Sequence, residues 1–152
     1  MLREITVDML DELAELFMGV FNDEPWNDKW DLSLAKERLK DMMDMPRFIG
    51  MAEYQEEKPV ALIMGRGEQW FDGVNFQVIE FCVAKQFQGQ GIGSRLLSEF
   101  MDHLKTHNIR CCYLYTMHGE RTEGFYEKNG FAVDESMCQM YRIIPGKHEG
   151  AK

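Results

Sequence analysis

The first third of the chain carries apolar residues at the three- and four-residue spacing of amphipathic helices. After Thr6, which suits a helix N-cap, this spacing predicts a first helix through Leu10, Leu13, Ala14, Phe17 and Val20. A second helix is predicted from Leu34, Ala35, Leu39, Met42 and Met43, and it should end before Pro46. The stretch between them, FNDEPWNDKWD, is rich in turn formers and predicts a loop.

From Phe48 onward the apolar residues follow a shorter period. Three runs rich in strand formers, FIGMAEY, VALIMGRGEQW and VNFQVIEFCV, are separated by the turn signals EEKP and FDG. Such a pattern predicts an antiparallel meander of three strands.

The remainder of the chain alternates between helical and strand-like segments. A third helix is predicted through Ile92, Leu96, Leu97, Phe100 and Leu104, and CCYLYTM should form the next strand. A fourth helix, about residues 120–129, should end at Gly130, and MCQMYRII should form the last strand before a polar tail over residues 145–152. No repeat, low-complexity tract or linker divides the sequence, so a single domain over residues 1–152 is expected.

Composition limits the class of protein further. The chain has 152 residues, of which 45% are hydrophobic, yet no window approaches the apolar length of a membrane-spanning helix. We therefore expect a cytoplasmic protein. The four cysteines form no C-x-x-C pair and should be reduced, mostly buried thiols. His103 and His107 share the spacing of a metalloprotease helix, but Leu104 stands where the glutamate should be, so no metal is expected.

The net charge of −9 bears on the choice of partner. Its average field repels nucleic acid and anionic membranes, so neither is expected as a partner, and it attracts small cations. The alternative is that most of these charges only form a solvated surface.

A glycine-rich bend is the sharpest chemical feature. Gly89, Gly91 and Gly93 alternate between a predicted strand and the third helix. Glycines allow a tight turn and close approach of a ligand, and a helix N-terminus favours a pyrophosphate. A P-loop would need a lysine after the glycines, and a dinucleotide fingerprint would need glycine at Ser94, so both fail. A purely structural turn is the alternative.

At this point the sequence resembles the GNAT acetyltransferase superfamily. Gln88, Gly91 and Gly93 match its first signature, and the run GFYEKNGF over residues 124–131 is similar to its second. The pattern departs at Lys85, where proline is common, and at Thr116, where asparagine is common. The resemblance implies an α/β (α+β) GNAT fold: a mixed, mostly antiparallel twisted sheet of about six to seven strands, with four helices on both faces.

The same resemblance implies a site for acetyl-CoA. Backbone groups of Cys82 and Val83 would hold the pantetheine arm like an added strand. The pyrophosphate would lie on the backbone amides of the bend, namely Gln88, Gly89, Gln90, Gly91, Ile92, Gly93 and Ser94. Tyr126 matches the superfamily's general acid; a buried aromatic role is the alternative.

The general base is less well specified. Glu80 lies in a strand that should be central, where an unpaired charge is costly, so it should be either functional or paired. A bulge, which is frequent in this superfamily, could change the face that Glu80 occupies. Glu68, Asp72, His118 and ordered water are the other candidates for the base.

The acceptor is expected to be a primary amine that enters beside the first loop. Phe21, Trp26, Trp30 and Asp28 offer aromatic faces and a carboxylate, which together suit a cation. Alternatively, the tryptophans anchor the loop to the core. The expected activity is N-acetyl transfer; a non-catalytic acyl-CoA sensor is the competing class, and a homodimer through the last strand follows from the resemblance alone.

Overall fold

A computed structural model describes residues 1–146 of the chain. Most of the predicted polar tail, residues 147–152, therefore lies outside the described residues. The chain forms two compact units, Met1–Met117 and His118–Lys152.

The first unit begins with the two predicted helices. A short 3-10 turn, Val7–Met9, follows Thr6 and leads into α1, Leu10–Phe21. The second helix, α2, spans Leu32–Met43, and Asp31 caps it by accepting a 2.8 Å hydrogen bond from the Leu34 amide. Both helices were predicted, and α2 ends before Pro46 as expected.

The sheet of the first unit has five strands in sequential order. They are β1 (Leu2–Glu4), β2 (Phe48–Gln55), β3 (Lys58–Trp70), β4 (Gly73–Val83) and β5 (Ile109–Leu114). The first four pair antiparallel, whereas β5 is parallel to β4 after the crossover helix α3, Ile92–Thr106. The predicted meander and the returning strand are confirmed. Strand β1 was not predicted, because three residues are too few to show a period of two.

The helices cover both faces of this sheet. On one face, α1 and α2 pack with β-strand residues such as Leu62, Met64 and Cys82 into one core cluster. On the other face, Phe76 of β4 meets Phe100 of α3 at 5.5 Å between ring centroids. The mixed sheet with helices on both faces is thus present in the first unit.

One irregularity changes the face of the sheet on which the side chains of β4 lie. Met64 of β3 pairs with Glu80, but the next residue, Gly65, pairs with Val78, so Ile79 is an extra residue in β4. Such a bulge shifts the alternation of side chains by one position. Phe76 consequently faces α3, while Glu80 faces α2. The bulge that could re-aim Glu80 is confirmed.

The second unit differs from expectation in two respects. Its helix α4 spans Glu123–Lys128, which is shorter than predicted, although Gly130 has the expected left-handed φ of 91°. The predicted strand over residues 137–144 does not form, and the sheet has five strands among the described residues instead of six to seven. Strand formers alone do not make a strand, because a neighbouring strand must supply the ladder hydrogen bonds.

The sulfur-containing side chains differ in burial. Met42 and Met51 are buried in the core. The cysteines are free, but only Cys82 is buried; Cys111 and Cys138 are exposed, so the expectation of mostly buried thiols was wrong. Adjacent residues of a strand face opposite sides, which leaves Cys111 outside when Cys112 faces inward.

No helix within residues 1–146 reaches the length and apolar character that a bilayer-spanning helix requires.

Candidate active site

The second half of β4 forms an open wedge in the sheet. Pairing with β5 runs only from Val74, opposite Ile109, to Val78, opposite Leu114. Beyond the bulge at Ile79, residues 80–83 pair with β3 on one side and with no strand of the described sheet on the other. An extended ligand can add to such an edge through its backbone-like amides. Cys82 and Val83, the predicted pantetheine contacts, lie in this wedge.

The glycine bend continues directly from the wedge. Gly89 and Gly91 have φ values of 76° and 80°, in the left-handed region that favours glycine. A Cβ atom added at either position would meet nothing within 4 Å, so the space above the bend is open. Gly91 caps α3, and its carbonyl accepts the first helical hydrogen bond, from the Arg95 amide at 3.0 Å.

The remaining predicted contacts of the bend surround this open space. Ile92, Gly93 and Ser94 form the first turn of α3, and the positive end of the helix dipole at this turn attracts anions. The Gln88 side chain donates a 2.9 Å hydrogen bond to the Val83 carbonyl, and that of Gln90 donates to the Gln86 carbonyl at 3.1 Å. The glutamines therefore tie the bend to the end of β4.

Glu80 lies on the α2 face of the same wedge and is paired. Arg38 of α2 donates from Nε at 2.9 Å and from Nη2 at 2.7 Å, both to Oε1 of Glu80. The Glu80 side chain is 9% exposed, whereas that of Arg38 is 45% exposed. The pair thus joins a buried carboxylate to a half-exposed guanidinium, and Oε2 of Glu80 accepts no hydrogen bond among the described residues.

Burial sets the direction of the Glu80 titration. Loss of hydration raises the pKa of Glu80 above its ordinary value, the hydrogen bond and charge of Arg38 oppose that rise, and the charge of Asp28 adds to it. A carboxylate with a raised pKa is a stronger base than an exposed one, which is the property that proton removal from an ammonium requires.

The loop between α1 and α2 is fastened to the start of the bend. Lys85, which follows β4, donates a 2.6 Å hydrogen bond to Oδ2 of Asp23. The departure from proline at residue 85 therefore creates an ion pair between the loop that joins α1 to α2 and the predicted pyrophosphate bend.

The predicted acceptor residues lie in different environments within that loop. Phe21 and Trp30 pack against the core, and the Trp30 ring lies 5.0 Å from that of Phe17. The Trp30 indole N–H donates to Oδ2 of the exposed Asp28 at 3.0 Å. Trp26 is half-buried, with its ring 5.7 Å from Phe21. Trp30 thus serves as an anchor, and Trp26 is the tryptophan less engaged with the core.

Tyr126 lies in α4 of the second unit. Its ring contacts those of Phe125 and Phe131 at 5.2 and 5.7 Å between centroids, so the second signature forms an aromatic cluster. His118, one of the other candidate bases, accepts or donates a 2.6 Å hydrogen bond with Glu123 in the same unit.

The other two candidate bases are engaged elsewhere in the first unit. Glu68 lies 3.4 Å from the Tyr113 hydroxyl and 3.5 Å from Arg66, and Asp72 pairs with Arg110 at 3.3 Å. Within residues 1–146, no three histidine, cysteine or acidic side chains are grouped as metal ligands.

Comparison with known proteins settles the family. Residues 7–131 match the sequence model of the acetyltransferase (GNAT) family. The chain belongs to the GNAT family. The family uses acetyl-CoA as its cosubstrate. No curated protein matches the sequence.

Solved structures share the GNAT fold at low sequence identity. An aminoglycoside acetyltransferase from an uncultured soil metagenomic sample, in complex with sisomicin, is 15% identical with a TM-score of 0.74 and coverage of 95% of this chain and 96% of that one. Glucosamine-6-phosphate N-acetyltransferase from Arabidopsis thaliana is 18% identical, with a TM-score of 0.70 and coverage of 95% and 98%. A GNAT family acetyltransferase from Staphylococcus aureus is 16% identical, with a TM-score of 0.70 and coverage of 93% and 98%.

The sequence gives only a faint signal for Arg38, which sequence reasoning missed. A buried carboxylate needs a cationic partner. Arg38 precedes Leu39, which is one of the buried residues of α2, so Arg38 borders the buried face of that helix. Residues 36 and 40 of the same helix are also cationic, so the choice depends on how α2 lies across β4.

Proposed function

We propose that this GNAT protein transfers the acetyl group of acetyl-CoA to a primary amine of a small cationic acceptor. The observation that carries the proposal is the half-paired β4, whose open edge leads directly into a left-handed glycine bend and the N-terminus of α3. An extended arm and a diphosphate need these two features in this order.

The donor contacts follow from this arrangement. Backbone groups near Cys82 and Val83 would bind the pantetheine amides, and the amides from Gln88 to Ser94 would bind the pyrophosphate. Because Val83 already accepts the Gln88 side chain, the Val83 carbonyl becomes available only when that side chain moves. Gln88 would therefore change its partner on binding of the donor.

Glu80 would act as the general base. Its Oε2 accepts the proton from the acceptor's ammonium, while Arg38 holds Oε1 and keeps the carboxylate ionised. The neutral amine then attacks the thioester carbonyl, and the carbon–sulfur bond breaks as the tetrahedral intermediate collapses. The attacking nitrogen loses its second proton to solvent, and solvent later restores the proton that the phenol gives to the thiolate.

Tyr126 would protonate the departing thiolate. A phenol, with an ordinary pKa of about 10, can donate to a forming thiolate whose thiol has a pKa of about 8.5, provided that it is well positioned. This role rests on the signature in which Tyr126 stands. Transfer would be direct: burial raises the pKa of the Cys82 thiol, which makes Cys82 a poor nucleophile.

The acceptor would enter beside the loop between α1 and α2. Trp26 and Asp28 offer an aromatic face and an exposed carboxylate, and Phe21 and Trp30 would form the wall behind them. A cation suits this combination. The cytoplasmic location, the lack of nucleic-acid or membrane partners and a homodimer through residues 137–144 stay predictions.

Thiol release from acetyl-CoA over a panel of amines tests the activity. The panel should include polyamines, amino acids, glucosamine 6-phosphate and an aminoglycoside, since related folds act on the last two classes. Turnover with one class supports the enzyme, whereas acetyl-CoA binding without turnover on any amine would favour the sensor.

Tyr126→Phe tests the general acid with its ring retained. We expect turnover to fall by roughly a hundredfold, the usual contribution of acid–base groups. Tyr141→Phe, at an exposed position of the same unit, is the matched control and should keep full activity. An unchanged rate in Tyr126→Phe, with chemistry limiting, would return Tyr126 to a packing role.

A further inference from the structure

A second polar region lies on the Glu80 face of the sheet. The side chains of Leu62, Met64, Arg66 and Glu68 share one face of β3 by strand alternation, and Met64 pairs with Glu80. Arg66 pairs with Gln77 of β4, whose side-chain oxygen lies 3.5 Å from Nη2 of Arg66. Arg66 thus lies two residues, or about 7 Å, from Met64 along the strand.

The contacts of Arg66 are too long to satisfy it. Its two polar neighbours, Glu68 and Gln77, both lie 3.5 Å away, whereas charge-assisted hydrogen bonds are usually about 2.7–2.9 Å. The Arg66 side chain is only 29% exposed, so it has lost much of its hydration. A guanidinium carries five N–H donors, and in this state it gains from a short bond to an added anion.

Arg66 also lines a cleft. The cleft has a volume of about 390 Å³ and lies between the turn Met45–Arg47 and residues 66–69 of β3. The Arg47 side chain lies on the opposite face of the sheet, because it packs beside Gly67 and contacts Gln69, which alternate with Arg66 along β3. Arg66 is therefore the arginine of this cleft that shares a face with Glu80.

We propose that the acceptor amine also carries an anionic group, a carboxylate or a phosphate, which Arg66 binds. This proposal rests on the proposed acetyl transfer: the amine lies at Glu80, and the anion lies about 7 Å away along the same face of β3. Simple alkylamines fill only the Glu80 end and are poor acceptors.

Matched acceptors test the proposal through activity. We compare ω-amino carboxylates and ω-aminoalkyl phosphates, of three to six carbons, with n-alkylamines of equal length. The anionic acceptors should have at least a tenfold higher kcat/KM, and Arg66→Gln should remove that advantage while leaving the alkylamines unchanged. Arg110→Gln, a surface arginine paired with Asp72, is the control and should change neither class. Equal kcat/KM for both classes in the wild type, or equal losses in Arg66→Gln, would overturn the proposal.

Anion binding can be measured without catalysis. Inorganic phosphate and acetate are titrated into the full chain while amide NMR signals are followed. Shifts at Gly67 and Gln77 that vanish in Arg66→Gln support the site, and the more effective ion identifies phosphate or carboxylate. Shifts confined to Ile92 and Gly93 would place the anion at the bend instead and refute the site. If the site binds anions but no amine is acetylated, the proposed activity fails while the site stands.

Discussion

The two halves of β4 have different structural roles, although they belong to one continuous strand. Gly73–Val78 lie between β3 and β5, and their buried side chain Phe76 packs against Phe100 of α3. Residues 80–83 pair on one side only and place Glu80 against Arg38 on the opposite face. The bulge at Ile79 separates the halves: one side supports the core, and the other presents an edge and a carboxylate.

This difference shows how a sheet can carry chemistry without losing its core. A buried carboxylate on a regular strand would have faced α3, where the residues are apolar. The extra residue turns Glu80 toward α2, where a guanidinium is available. We therefore expect substitutions in the first half to change stability and those in the second half to change binding and rate.

Phe76→Ala should have the largest effect on stability. Removing a fully buried ring from a packed core costs about 3–5 kcal/mol of unfolding free energy. Chemical denaturation measures this loss, and Val83→Ala, a half-buried position in the second half, should cost much less. An equal loss in the two variants would contradict the division of β4.

Gly91→Glu should weaken acetyl-CoA binding by at least a hundredfold, or about 2.7 kcal/mol. The new side chain occupies the open space above the bend and places a negative charge where the pyrophosphate should lie. Calorimetry measures the affinity. Gly19→Glu adds the same charge at an exposed position of α1 and should leave the affinity unchanged. Undiminished binding in a folded Gly91→Glu protein would remove this donor site.

Arg38→Gln should move the acid limb of the kcat/KM profile to higher pH. Glu80 must be ionised to accept a proton, so activity rises as the pH passes through its pKa. Arg38 lowers that pKa against the effect of burial, and its loss raises the pKa further. Arg38→Lys, which keeps the charge, should shift the limb less. A limb that persists in Glu80→Gln would show that another group is the base.

Trp26→Ala and Asp28→Asn should have the smallest effects, a rise of several-fold in the KM of the amine. Both residues lie in the loop that would meet the acceptor, apart from the donor contacts, so acetyl-CoA affinity and melting temperature should stay nearly constant. Trp70→Ala, in the half-exposed end of β3, serves as the control. A drop in melting temperature with an unaltered KM would mean that the loop is only anchored.

Much of the fold could be predicted because its signals are local. Amphipathic spacing gives α1, α2 and α3, and strand formers between turn signals give β2, β3 and β4. Strand β1 is too short to show a period, and residues 137–144 have strand-forming side chains but form no strand among the described residues. In both cases, pairing with a distant segment decides whether a strand forms, and composition does not predict that pairing.

The site was predictable where a sequence motif marks it. It was unpredictable where the packing of distant elements decides which side chains meet. The bend from Gln88 to Gly93 is visible in the sequence because left-handed positions need glycine. The partners of Glu80 and Lys85 lie more than forty residues away, since Arg38 and Asp23 reach them only after α1 and α2 cross the sheet. Ion pairs of this kind follow from the fold.

The parallel pairing of β4 with β5 also bears on the order in which the molecule is assembled. Trp70 and Gly73 pair across a tight hairpin, whereas Val74 meets Ile109 only after the whole of α3 has been formed and docked. Contacts between distant segments form late because closing a long loop costs entropy. In pulse-labelled hydrogen exchange, the amides of β3 and β4 should be protected before those of β5. The open edge of β4 would then be defined last, when β5 docks on a core that is already folded. Simultaneous protection of the amides of β3, β4 and β5 would contradict this order.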